Sequence, residues 1–257
     1  MFVPFHDQNP LLYIRFPWVT RGLVVLNCLV FLIYQRAGNA DAEAASVMAF
    51  GLIPSTLAGI HIRTPGIYHA PEYLTFITSS FLHGDIWHLA GNMLFLWVFG
   101  DNVEDALGHV RYLIFYLLCA VAGAFVHGLV APDSQEPLIG ASGAIAGVVT
   151  AYLVLHPRVK IWILAFARIP LRIPAYIIIA LWIALQFVMF AIGGDDRISW
   201  ACHVGGILAG AVLVLILRRG DVPLMDKELV TPRSVKVVEK SAVEPSGTGP
   251  ARRWGRQ

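Results

Sequence analysis

Ser142 stands in Gly140-Ala141-Ser142-Gly143-Ala144-Ile145-Ala146-Gly147, inside an apolar run, and His203 stands in a second apolar run about sixty residues on. A hydroxyl beside an imidazole is the minimal apparatus of acyl transfer, because the imidazole takes the proton as the oxygen attacks. On helices, Ser142 and Ala146 share one face at i, i+4 with Gly143 and Gly147 beside it, and His203, Gly206 and Gly210 share another at i, i+3, i+7. Small-xxx-small faces let membrane helices approach closely. Close approach is what a serine and a histidine need to come within about 2.6 to 3.2 Å. A Gly/Ala/Ser-rich face alone signals packing, so weight falls on what else lies at the same depth.

The chain is 57% hydrophobic and only 14% charged, with a mean hydropathy of +0.66, against roughly 25% charged in an average soluble domain. This composition predicts an all-α polytopic membrane protein. Apolar runs of about 20 residues suffice to cross a hydrocarbon core of about 30 Å. Six spans are expected, at 21–35, 79–99, 111–131, 138–155, 173–193 and 198–217. The polar stretch from Arg36 to Thr78 is a candidate for interfacial structure, and the remaining loops are short enough to make successive helices neighbours. The expected organisation is an N-terminal segment 1–20, a six-helix membrane domain 21–218, and a tail 219–257.

With the N-terminus inside, 16 of the 19 Lys and Arg residues fall on the inner side, and only Arg36, Arg63 and Arg197 fall outside. The positive-inside rule then places both termini in the cytoplasm. The first span with Ala37-Gly38-Asn39-Ala40 after it resembles a cleavable signal, but its polar lead is long, and its removal would spoil the charge bias. From Arg218 onward the chain carries nine basic and five acidic residues. It reads as a disordered cytoplasmic tail, attracted to anionic lipid rather than to nucleic acid.

An ionisable or strongly polar residue inside a span is a functional candidate, because an unsatisfied polar group there is costly. The candidates are His83, Asp85, His88 and Asn92 in the second span, His127 in the third, Ser142 in the fourth, and Ser199 and His203 in the sixth. All three even-numbered helices start at the outer face. Ser142, His203 and His88 then lie roughly 6, 8 and 14 Å deep by helix rise. Ser142 near its helix start has a free backbone N–H for a developing oxyanion. His88 and Asn92, at i, i+4, could donate to the same oxygen. No acid completes a triad: Asp101 and Glu104 lie at the inner end, so a Ser142/His203 dyad is expected, with His203 held by packing.

Cys28, Cys119 and Cys202 lie in spans without metal-type spacing and read as inert packers. No His-Glu-x-x-His is present, and His83 and His88, five apart, would diverge by about 140° on a helix. No metal or cofactor is expected, and a histidine-lined transporter or metal protein is disfavoured.

These residues resemble the rhomboid intramembrane serine proteases. The resemblance rests on Gly140-Ala141-Ser142-Gly143, on His203 with Gly206 and Gly210, on His83, His88 and Asn92, and on Gly100, Glu104 and Gly108, across about residues 70 to 218. It implies a six-transmembrane-helix rhomboid-like bundle in which Ser142 is the nucleophile, His203 the base, and His88, Asn92 and the Ser142 amide the oxyanion site. Glu104 and the glycines would be structural. Substrates would be transmembrane segments of other membrane proteins, cut near their outer ends and admitted by movement of the fifth helix and of the cap loop Gly193 to Ser199. A prokaryotic inner (plasma) membrane would be the setting of so simple a form. The alternative is a catalytically inactive rhomboid-like protein that binds transmembrane helices. Two positions depart from the family: Leu74-Thr75 replaces a first-loop Trp-Arg, and Ala146 stands where some members stack a tyrosine on the histidine. The oligomeric state is not legible from the chain.

Overall fold

The computed structural model describes residues 2–7, 9–35, 40–63, 68–165, 168–193 and 198–225. Arg36, Arg197 and the tail from 226 lie outside the described residues, as does most of the cap loop.

Six helices correspond to the six expected spans: α1 (Trp18–Leu29), running on as a π-helix over Val30–Gln35, α5 (Ile86–Leu107), α6 (His109–Val130), α7 (Ser142–Leu155), α8 (Ala175–Ile192) and α9 (Trp200–Leu217). Trp18–Gln35, α6, α8 and α9 are long and apolar enough to cross a membrane by length and composition alone; α7 is apolar but spans only 14 residues. Between the first and second spans lie three short helices, α2 (Ala40–Phe50), α3 (Pro54–Leu57) and α4 (Glu72–Thr78).

Two spans begin later than expected, for local reasons. Helix α5 starts at Ile86 instead of 79 because Leu82 is extended and the Asp85 carboxylate caps the next turn, accepting from the N–H groups of Trp87 at 2.7 Å and His88 at 2.9 Å. Those groups have no acceptor within the helix. His83 therefore lies in a loop, and its peptide is clasped by the side chain of Gln35, with one hydrogen bond of 3.0 Å each way. Helix α7 starts at Ser142 instead of 138 because Leu138 pairs across to Leu52 and Gly140 takes φ +121°. Only glycine enters that region without strain.

The C-terminal end of α5 is tied to the chain around the start of α1 by two carboxylates. Glu104, fully buried, accepts from the N–H groups of Val19 and Thr20 and from the Thr20 hydroxyl, so it caps α1 from another helix. Asp105 accepts from three consecutive N–H groups, those of Leu12, Tyr13 and Ile14. Beyond α9, Val222 is buried and the Met225 N–H reaches the Val154 carbonyl.

The bundle also carries a β element that an all-α architecture does not contain. Strands β1 (Phe2–Asp7), β2 (Lys160–Ala165) and β3 (Ile169–Pro174) form an antiparallel sheet in the order β1-β2-β3. Ile161 and Ile163 alternate inward into the core, the period-2 burial of a strand. The sheet is fastened to α7 where the Tyr152 hydroxyl donates to Asp7 at 2.7 Å, although burial pushes the Asp7 carboxyl above its ordinary range.

Helices α6, α7 and α9 meet backbone to backbone. A side chain at Gly206 would collide with the Gly143 carbonyl, and one at Gly210 would sit 2.5 Å from the Gly147 Cα. Helix α8 differs: of its 18 residues only Ala175, Ile179 and Gln186 are buried, so most of its apolar surface is left to lipid.

Candidate active site

Ser142 is the first residue of α7, half-buried, and its neighbour Gly143 is the residue that α9 touches. The backbone N–H groups of this first turn lack intrahelical acceptors and sit at the positive end of the helix dipole. His203 is the fourth residue of α9, one turn before Gly206 on the same face. The structure thus places the two helix backbones in contact beside both residues. Among the described residues no hydrogen bond joins Ser142 to His203, whose Nδ1 lies against Gln186 and leaves Nε2 for the serine. Such bonds commonly tighten only when substrate is bound.

His88 and Asn92 are the third and seventh residues of α5. Both point at the turn entering α7: a Cβ on Gly140, two residues before Ser142, would lie 2.8 Å from the His88 ring and 3.8 Å from Asn92 Nδ2. The glycine is therefore required twice, by its φ and by this approach. Asn92 Nδ2 is buried and has no hydrogen-bond partner. His83 packs edge-on to His88 with ring centroids 5.2 Å apart. Sequence reasoning had the two diverging around a helix; they meet because His83 precedes the helix.

His203 is not held by packing alone. Its Nδ1 lies 2.8 Å from Gln186 Oε1 on α8, and its ring centroid is 6.4 Å from that of Trp182 and 6.0 Å from that of Trp200. Those two indoles lie near the imidazole that Ala146 cannot stack on. Sequence reasoning missed Gln186, although the rule that marks a polar group inside a span applies to it as much as to His203. A lone glutamine is neither nucleophile nor base, so it carried no chemical signal of its own.

The other polar candidates are structural. Ser199 caps α9, accepting from the Cys202 N–H at 3.1 Å while its hydroxyl meets His127 Nδ1 at 2.7 Å, which fastens α9 to α6. The Cys202 sulfur is buried where side chains at Gly123 and Gly143 would have to go. Leu74-Thr75 does not leave the first loop loose. Arg63 pairs with Glu72, Thr56 donates to Glu72, and the Thr78 hydroxyl reaches the Phe50 carbonyl.

Residues 70–220 match the family model described as the Rhomboid domain. The chain is 30% identical over 197 residues to the Rhomboid protease GluP of Bacillus subtilis, covering 76% of this chain and 34% of that one. It is 28% identical over 162 residues to RHOMBOID-like protein 12, mitochondrial, of Arabidopsis thaliana, 57% of this chain and 47% of that one. It is also 28% identical over 179 residues to Rhomboid protein 1, mitochondrial, of Saccharomyces cerevisiae, 61% of this chain and 50% of that one. The alignments to the two mitochondrial relatives therefore span about half of their length.

Proposed function

Since the chain belongs to the rhomboid family, we propose that it is an intramembrane serine endopeptidase that cuts transmembrane segments of other membrane proteins near the outer face. In this reading it sits in a prokaryotic inner membrane with both termini in the cytoplasm, which the bias of Lys and Arg supports. The Ser142 oxygen attacks the peptide carbonyl as His203 Nε2 takes its proton, and the carbonyl oxygen becomes an oxyanion. The Ser142 N–H, His88 and Asn92 Nδ2 donate to that oxygen. On collapse, His203 returns the proton to the leaving amine. It then activates the water that hydrolyses the Ser142 ester.

The observation that carries this reading is Asn92 Nδ2, buried, without a partner, and directed with the His88 ring at the turn that precedes Ser142. A buried donor left unpaired costs about 1–3 kcal/mol, and an oxyanion at the α7 N-terminus would satisfy it. The test is a reporter whose transmembrane segment carries a helix-breaking residue, presented with this protein or its Ser142→Ala variant in liposomes. Cleavage should vanish in the variant; undiminished cleavage sinks the proposal.

The alternative is a catalytically inactive binder of transmembrane helices, which has no need of both Ser142 and His203. A serine-reactive fluorophosphonate separates the two. Labelling that needs both Ser142 and His203 supports the protease, and its absence supports the binder.

A further inference from the structure

Gln186 is a buried amide, 2% exposed, on the least buried of the membrane helices. Two hydrogen bonds fix which way its amide points. Nε2 donates to the Trp182 carbonyl, one turn back on the same helix, at 3.1 Å, and Oε1 faces His203 Nδ1 at 2.8 Å. Exchanging the two amide atoms would set the Gln186 oxygen against the Trp182 oxygen, two acceptors in contact. An amide oxygen can only accept, so His203 Nδ1 must donate, and a neutral imidazole that carries its proton on Nδ1 keeps its lone pair on Nε2.

We propose that Gln186 is a positioning residue of the dyad: it fixes His203 in the Nδ1–H tautomer, with Nε2 free to take the Ser142 proton, the orienting part that a carboxylate plays in a triad. It never touches substrate and acts only through His203. The inference builds on the Ser142/His203 chemistry proposed above, and on an interaction between residues 17 apart on different helices. The rings of Trp182 and Trp200 lie near the imidazole, but an indole offers no lone-pair acceptor that would choose between its two nitrogens. A carboxylate in this place would be a further charge in an apolar helix, which a membrane interior penalises. A neutral amide directs the proton without that cost.

The test uses the full chain in detergent micelles with ¹⁵N-labelled histidine, the His203 signals being identified by their loss in His203→Ala. Long-range ¹H–¹⁵N spectra of the wild type should show His203 as the Nδ1–H tautomer. In Gln186→Met, close in volume and length but with only a weakly accepting thioether in place of the amide oxygen, His203 should shift toward Nε2–H. Gln186→Leu is a second apolar variant should the first misfold. In cleavage assays the Met variant should lose about tenfold in kcat, equivalent to roughly 1.4 kcal/mol, with KM within twofold. A wild-type His203 in the Nε2–H form, or a tautomer unchanged in both variants, overturns the assignment. So does a loss confined to KM. If the wild type shows no Ser142-dependent cleavage, the protease reading fails, while the tautomer measurement still decides the part assigned to Gln186.

Discussion

At the residue scale the candidate site holds some polar groups that are paired, as His203 Nδ1 is with Gln186, and others that among the described residues are not. Asn92 Nδ2 is the plainest case, a buried amide whose hydrogens meet no acceptor. In Asn92→Ala, kcat should fall about a hundredfold, the usual cost of one oxyanion donor, with little change in KM. Thermal stability should change little, because removal of an unpaired buried donor offsets the packing lost. Cleavage kinetics and thermal unfolding in detergent check both halves, and an unchanged kcat would exclude Asn92 from the oxyanion site. Ser142, His203, His88 and Asn92 were legible in the sequence because each is a polar group in an apolar run. Gln186 satisfies the same rule, and its meaning came only from the atom it faces.

At the element scale the decisive feature is the pairing of glycines between α7 and α9. Gly206 against Gly143, and Gly210 against Gly147, bring the two backbones into contact beside Ser142 and His203. Gly206→Ala should therefore force the helices apart, destabilise the protein by about 1–3 kcal/mol, and abolish cleavage even though Ser142, His203, His88 and Asn92 all remain. Gly22 on α1 has nothing within 4 Å of where a Cβ would go. Gly22→Ala should leave activity intact and gain about 0.5–1 kcal/mol from helix propensity alone. Thermal unfolding of the two variants side by side checks this, and equal behaviour would remove the close-contact argument. The glycine spacing was readable in the sequence; which helix each glycine faced was not.

At the scale of the whole molecule, polar fastenings at both ends hold the bundle around the site. At one end Glu104 caps α1, Asp105 gathers the chain before it onto α5, and Tyr152 holds the sheet through Asp7. At the other, Arg63 and Glu72 fasten the first loop. Burial alone would raise the Glu72 carboxyl, but its hydrogen bond and charge contact with Arg63, helped by Thr56, hold it below its ordinary value of 4.5. A carboxylate depressed in the folded state contributes stability that is complete above the unfolded value and is lost as pH falls through the folded one. Hydrogen exchange over residues 52–63 and 68–72, taken relative to the intrinsic amide rate at each pH, should accordingly rise only as the pH drops below about 4.5. In Arg63→Met it should already be raised at neutral pH, by a modest factor because the pair is partly solvated. Exchange independent of pH in the wild type would refute the fastening.

Run length and residue type alone determined that this chain builds apolar helices, that a hydroxyl, two imidazoles and an amide lie within them, and that small residues line the helices carrying Ser142 and His203. Those properties are local, fixed by composition over one or two turns. Tertiary structure decided the rest. Helix α5 begins where Asp85 can cap it, so His83 falls in a loop and meets His88. Residues before α1 pair with residues between α7 and α8 into a sheet because Ile161 and Ile163 have a core to enter. His203 acquires a direction because Gln186, on another helix, offers an oxygen and not a hydrogen. Each of these rests on a partner far along the chain, and a hydrogen bond between distant residues exists only once packing has brought both to the same place.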